Sequence, residues 1–532
     1  MKHAFGAWMT CACILYLVLS SPAQADGTTR TVRGVVFHDL NGDGRRDSRE
    51  PGVASVKVSN GRDIVRTDAQ GRYRLPLRDG DTLFVIKPAG WSLPRDAEGL
   101  PASWSHEVRR PVSGLRYGGR TRQRARSDFA LLADGDPTPR RRMFVFGDPQ
   151  PKSQRDVQHF ADDIVAPLSQ PGNTRFGISL GDVVDDDLSL YPAMKRVMQG
   201  LALPWVHIPG NHDLDYDAAS DEASLESYRA AFGPDTLAWE EPGLAFIGMD
   251  DVIYRPTENP RYVGGLRDDQ FLWLERYLAT LDPDTLVIIG MHIHLFDSRP
   301  GREDFRSADR LRLFKLLESF PNRLLLTAHA HAQRHVWYGP EQGWHGQGLL
   351  HEYNVGTACG GYWGGVADAA GIPDATMEDG TPNGYATLDW DEQGQYQLLW
   401  HVARAPDDDA IRLHAPRVLR QGAWPGVRLY ANVYMGDADS VVEMRVDDGP
   451  WQPMQHTIER DPWVIWHNLQ DDAAGALRGY DRMTQAEDST HLWRMNLPTD
   501  LALGTHRIDV RALDRWRGWV QASTSYRLAE WP

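Results

Sequence analysis

The chain has 532 residues, 41% of them apolar and 19 of them Trp, which is enough for packed cores in about three domains. A formal net charge of −16 argues against nucleic acid or an anionic membrane surface as the main partner. Of the three Cys, Cys11 and Cys13 lie in an N-terminal apolar run and Cys359 stands alone, so no intrachain disulfide is expected in the mature chain. Cys359 reads as a small buried hydrophobe.

Residues 1–25 read as a signal peptide. Lys2 and His3 precede the apolar run CACILYLVL, and Ala23-Gln24-Ala25 supplies a small-x-small cleavage site. The apolar core is short for a membrane span of about 20 residues. The expectation is an exported, soluble product, periplasmic or secreted from a bacterium, with no transmembrane anchor after cleavage.

Residues 31–132 predict a small β-domain: TVRGVVF, ASVKVSN, DIVRTD, GRYRLPL and DTLFVIKP are short strand-like runs separated by turn residues. Between the first two lies Asp39-Leu40-Asn41-Gly42-Asp43-Gly44-Arg45-Arg46-Asp47-Ser48-Arg49-Glu50. Its oxygen donors Asp39, Asn41, Asp43, Asp47 and Glu50 stand at positions 1, 3, 5, 9 and 12, with Gly at 6, the spacing of a calcium loop. Strands and Pro51-Gly52 flank it rather than helices, and the alternative is an Asp/Gly hairpin that binds nothing. The loop resembles those of bacterial surface β-domains of the SdrD B type, which implies a structural calcium ion. Arg120 to Arg126 reads as a solvated basic edge, and Asp134 to Arg142 as a linker.

Residues 140–350 carry the chemistry. Five apolar, strand-like runs each end in polar donors: Asp148-Pro149-Gln150, Gly181-Asp182-Val183-Val184-Asp185, Gly210-Asn211-His212-Asp213, Met291-His292-Ile293-His294 and His329-Ala330-His331. Helical patterns at Ser153–Leu168, Leu188–Leu201, Glu222–Phe232, Arg267–Leu281 and Ala308–Phe320 fall around them. Carboxyl ends of strands in an α/β sheet form the ligand crevice. Residues two apart in extended backbone point the same way, so Asp148 with Gln150, and His329 with His331, aim pairs of donors at one place. Imidazole with carboxylate suits Zn, Fe or Mn. The donors outnumber one ion's needs, which favours two ions roughly 3.5–4 Å apart. His159 and His207 read as ordinary surface and core histidines, and Asp250 and Asp251 as polar strand ends.

These five segments resemble the calcineurin-like metallophosphoesterases, whose ordered pattern is DxH, GDxxD, GNH[DE], H and GHxH. The resemblance implies a four-layer α/β (α+β) fold, a β-sandwich flanked by helices, with the small β-sandwich before it and an immunoglobulin-like β-domain after it. It also implies the residue roles. Asp148 and His331 would hold the first metal, Asp182 would bridge, and Asn211, His292 and His329 would hold the second. His212 would sit beside the substrate as general acid or phosphate stabiliser, with Asp213 or Asp185 orienting neighbours. His294 is the alternative to His292 as ligand. Gln150 stands where the family has His, a weaker neutral ligand, and Ala328 where it has Gly. The implied reaction is hydrolysis of a phosphomonoester or phosphodiester, in a small molecule or an envelope component, by a hydroxide between two divalent ions. Two other readings are a cell-surface binding protein with an inactive metal site, favoured by Gln150, and a pyrophosphatase acting on nucleotide-sugar or lipid pyrophosphates.

Residues 351–385 form a Gly- and aromatic-rich connection, Gly360-Gly361-Tyr362-Trp363-Gly364-Gly365 at its centre. Tyr362 and Trp363, with His294, are the expected substrate wall. From 386 to 532 alternating runs and Asp/Gly turns predict a β-sandwich. Its Trp residues, among them Trp451, Trp463, Trp466, Trp493, Trp516 and Trp519, suit packing or a carbohydrate platform.

Overall fold

The structure, a computed structural model, describes residues 29–134, 141–299, 301–424 and 426–531. The expected signal peptide and residues 135–140 of the expected linker lie outside the described residues.

Two sheets stack at the centre. The first has five strands in the order Trp205–Ile208, Thr174–Leu180, Arg142–Phe146, Gly384–Trp390 and Tyr396–Val402; the first three are parallel and the last two join antiparallel. The second has six, in the order Thr236–Glu241, Leu244–Met249, Leu286–Gly290, Arg323–Thr327, Leu350–Asn354 and Arg334–Tyr338, with four parallel strands between antiparallel edges. Strands covered on both faces read as unbroken apolar runs, and the strands Leu244–Met249 and Leu286–Gly290 are buried throughout. Their side chains alternate between two layers. Phe246, Ile288, Leu324 and Leu326 meet Val145, Ile178 and Ile208 between the sheets. Ile247, Val287, Ile289 and Leu325 join a second layer with Phe271, Leu274, Leu313 and Phe314 of the helices Asp268–Leu278 and Ser307–Leu317. On the other sheet, Gln154–Phe160 and Tyr191–Met198 extend through π and 3-10 turns over the spans predicted, to Leu168 and Leu201. The result is the mixed α/β, four-layer core.

The expected boundary at 386 does not hold. Residues 384–402 are two strands of the core sheet, and 350–354 is a core strand of the other, so the core closes only after the Gly-rich connection. Antiparallel strands that complete a sheet carry the same period-2 pattern as strands of a separate sandwich.

The N-terminal region forms two four-stranded sheets around Val36, Val58, Leu75, Leu83 and Leu131. Lys87 reaches from it into the core, where its Nζ donates to Glu240 O at 2.9 Å and pairs with Glu241 at 2.5 Å, both side chains buried. Arg120 is not at a solvated edge: it is buried and forms a two-point ion pair with Glu226, because the core helix Glu226–Phe232 closes over it. The C-terminal region pairs a four-stranded and a five-stranded sheet around Leu429, Trp493, Ile508 and Val510. Its Trp residues are dispersed: Trp493 is core, Trp516 packs near His335 of the central fold at 5.4 Å, and Trp451 lies under Arg445 and Arg511. No described helix is long and apolar enough to cross a membrane.

Candidate metal centre

All five donor-bearing segments leave their strands at one end of the stacked sheets and converge. The backbone turns sharply there: Asp148, Gln150, Asp182, His329 and His331 all take positive φ, from 30 to 67°. Each such non-glycine residue costs of order 1–3 kcal/mol and persists where surrounding structure holds it. Two glycines make the approach possible. A Cβ on Gly210 would lie 2.2 Å from Asp182 Oδ1, and one on Gly181 would lie 2.4 Å from His292 Nδ1.

The donors face one another as acceptors. His292 Nδ1 lies 2.8 Å from the carbonyl of Leu180, which only accepts, so the ring proton sits on Nδ1 and Nε2 presents a lone pair. That lone pair faces Asn211 Oδ1 at 3.0 Å, His329 Nδ1 at 3.2 Å and Asp182 Oδ2 at 3.3 Å. Asp182 Oδ2 is buried and has no hydrogen-bond donor. Asp182, His292 and His329 form the one His/Cys/Asp/Glu group among the described residues with ligand atoms close enough to share an ion. Beside it, His331 Nδ1 donates to Gly360 O at 2.8 Å, which leaves Nε2 facing Asp148 Oδ2 at 3.2 Å; this oxygen too is buried without a hydrogen-bond donor. Lone pairs packed this closely repel unless positive charge lies between them, and the outward N–H groups of His292 and His331 are anchored as those of metal-ligating histidines are. The donor set therefore fits two divalent ions.

Electrostatics agree. Burial opposes charge on His292, but without a metal Asp182 and Asp148 outweigh it and raise its pKa to about 10, so the cluster draws positive charge to Nε2, which a divalent ion would supply in place of the proton. Burial would raise Asp182, yet His292 and His212 hold it below the usual carboxylate range. Burial and His292 push His329 well below its usual value, so it stays neutral and keeps a free lone pair.

The remaining expected residues divide. His212 reaches the cleft, its Nδ1 held by Asp186 at 2.8 Å and Asp185 at 3.1 Å. Asp213 does not. It is fully buried, and its carboxylate accepts from Gly210 N, Val183 N and Tyr191 OH, so it fixes the loop rather than touching substrate. Burial, with Asp182 nearby, pushes its pKa up to about 7. His294 is not among the converging donors: its Nδ1 donates to Phe296 O at 2.8 Å and its ring stacks on Phe296, so it lines the cleft. Gln150 also lines it, with Nε2 on Asp185 at 3.3 Å. Tyr362 stacks on His331 at 4.1 Å and lines the cleft. Trp363 does not, because consecutive left-handed residues throw the two rings apart; it is buried beneath the centre and donates to Pro149 O at 3.0 Å. In the Asp39–Glu50 loop, Asp39 accepts from Gly42 N and Gly44 N, and Glu50 from Leu40 N and Asp47 N; Asn41, Asp43 and Asp47 accept from amides two residues on. None of these residues lines the cleft.

Two contributors had no reading as site residues. Asp251 accepts from His292 N at 3.0 Å and Ile293 N at 2.9 Å, and so sets the turn that aims His292. Cys359 lies 3.8 Å from both Gln150 Oε1 and His331 Nδ1. The Asp pair after LAFIGM was a sequence signal for the first; nothing in the sequence signalled the second.

Three family models match the chain: the N terminal of calcineurin-like phosphoesterase over residues 40–111, calcineurin-like phosphoesterase over 141–333, and the C terminal of calcineurin-like phosphoesterase over 352–518. The chain belongs to the calcineurin-like phosphoesterases. It is a metal-dependent phosphoester hydrolase, and membership implies divalent metal ions at this centre. Among solved structures, it is similar to a dimetal phosphatase from Danio rerio, at 14% identity over 49% of this chain and 99% of that one with a TM-score of 0.33. It is also similar to the purple acid phosphatase PPD1 from yellow lupin (Lupinus luteus) seeds, at 10% identity over 68% and 69% with a TM-score of 0.37. No curated protein matches the chain.

Proposed function

We propose that this chain is an exported hydrolase of phosphomonoesters or phosphodiesters with two divalent ions, Mn, Fe or Zn. The observation that carries the reading is the buried cluster of lone pairs around Asp182 Oδ2 and Asp148 Oδ2, neither with a hydrogen-bond donor. Asp148 and His331 Nε2 would hold one ion, Asn211 Oδ1, His292 Nε2 and His329 Nδ1 the other, with Asp182 shared. The ions, when bound, supply positive charge for the phosphate oxygens and bring the acidity of water toward neutral pH. His212 lines the same cleft. Its Nδ1 is held by Asp185 and Asp186, which leaves Nε2–H to protonate the departing alkoxide. Tyr362 and His294 close the cleft beside the reacting phosphate.

The test is metal content alongside turnover of p-nitrophenyl phosphate and bis-p-nitrophenyl phosphate. Asp182→Ala should lose metal and turnover together; a variant with full activity defeats the assignment. Gln150 supports one second reading, a binding protein with a poorly filled first site, since its amide nitrogen engages Asp185. Absence of turnover by metal-loaded protein on both esters, unrescued in Gln150→His, would favour it. Export rests on the N-terminal apolar run and Ala23-Gln24-Ala25. N-terminal sequencing of mature protein should read from Asp26; an intact Met1 counts against it.

A further inference from the structure

Three arginines line the cleft of about 560 Å³ beyond the metal-binding histidines: Arg299, Arg302 and Arg334. Two are engaged. Arg302 pairs with Asp304 at 2.5 Å, and Arg299 lies 3.9 Å from Glu487. The Arg334 guanidinium has no hydrogen bond and no carboxylate within ion-pair distance among the described residues. It is nevertheless half-buried, and burial pulls its pKa below the usual arginine value against the attraction of Glu352 and Tyr338. Its guanidinium lies 4.2 Å over the ring of Phe296. Phe296 stacks on His294 at 4.0 Å and 7°, and His294 stands 5.8 Å from His329. The guanidinium thus caps a column of rings that starts at the metal centre.

The same turns build both. Arg334 opens the strand that follows His331, and Phe296 closes the turn that follows His292. A ring face holds a guanidinium flat and leaves the donors around its edge free. A partly desolvated guanidinium without a counter-ion is costly, and its planar fork matches phosphate and carboxylate. Glu378 and Asp488 line the same cleft, so the wall of Phe296 and Arg334 is where an anion is favoured.

We propose that Arg334, on its Phe296 platform, is a specificity residue that binds a second anionic group of the substrate, a phosphate or a carboxylate carried on the same molecule as the phosphoester. This deepens the phosphoesterase reading and rests on it. A phosphoester with a single charge would leave Arg334 without its partner.

The experiment is calorimetric titration of the metal-loaded full chain with three phosphonates. Methylphosphonate carries one anionic head, 3-phosphonopropionate adds a carboxylate, and propane-1,3-bisphosphonate adds a second phosphonate. At least one two-headed probe should bind tenfold or more tightly than methylphosphonate, and which one does so identifies the second group. Arg334→Gln should collapse that ratio towards one, and Arg334→Lys should keep part of it. If Arg334→Gln fails to fold, Phe296→Leu, which keeps the cation and removes its platform, should reduce the ratio. A wild-type ratio near one, or a ratio that survives these changes at the wild-type value, overturns the proposal. The ratio without turnover of any phosphoester would sink the hydrolase reading and leave the anion subsite standing; turnover without the ratio does the reverse.

Discussion

His212 lines the same cleft as Asp182, His329 and His331 and carries the charge that the proposed proton donor needs. Burial works against that charge, but Asp182, Asp186 and Asp185 outweigh it and raise the pKa to about 9. His212→Ala should therefore keep the metals and lower turnover by about 10²–10⁴. Metal analysis and single-turnover kinetics on the same preparation check this; loss of metal with activity would make His212 structural instead. Single residues were legible in the sequence where chemistry and position coincided. Asp148, Asp182, Asn211, His292, His329 and His331 each follow directly on an apolar run, so strand-end logic placed them together. Trp363 was misplaced because side-chain direction depends on a left-handed φ of 57°, which residue type does not announce. Cys359 is buried, as a small hydrophobe would be, but its contacts with Gln150 and His331 were not legible because they cross about two hundred and about thirty residues of chain.

The elements explain how the donors keep their aim. The strand Leu286–Gly290 ends in a turn whose amides, His292 N and Ile293 N, both donate to Asp251 from the end of the neighbouring strand Leu244–Met249. Asp251→Asn keeps the shape but sets an NH₂ against one of those amides. It should weaken metal binding by about 10–100-fold, as loss of a supporting partner does. Competition with a chelator measures this, with the melting temperature as a check on folding; unchanged affinity would remove Asp251 from the site. The core helices were legible from their apolar spacing, with 3-10 or π turns added at several ends, whereas the helix Pro462–Ala473 was not, because it interrupts a stretch that otherwise alternates like a sandwich. Sheet membership was not legible for 384–402. Strands Gly384–Trp390 and Tyr396–Val402 alternate like the sandwich strands after them, and only pairing with Arg142–Phe146, more than two hundred residues earlier, assigns them to the core.

Across the molecule, neutral histidines are built into the N-terminal region, the core and the contact between the core and the C-terminal region. His106 donates from Nε2 to Arg229 O of the core and accepts at Nδ1 from Thr82 Oγ1 of the N-terminal region. His207 lies in the strand Trp205–Ile208, and His335 packs against Trp516 of the C-terminal region. Burial is the largest cause in each and lowers each pKa to about 3. An unfolded histidine takes up its proton near pH 6.5, so between about 6.5 and 3 the unfolded chain binds protons that the folded chain does not. The sign follows: each contributes stability that is fully present above pH 6.5 and is lost as pH falls towards 3. For one such group the loss from pH 7 to 4.5 is about 2 kcal/mol. His207 is the cleanest probe, since neither ring nitrogen has a hydrogen-bond partner and its ring lies 4.5 Å from that of Phe232, tilted by 43°. A cavity of about 40 Å³ bounded by His207, Trp104, Phe232 and Leu237 gives room for a phenyl ring. His207→Phe should therefore fold, and its unfolding free energy should fall less steeply than wild type between pH 7 and 4.5. Denaturant melts of the metal-free proteins at those two pH values decide it: equal acid slopes in the two proteins would mean that His207 is already charged in the folded state.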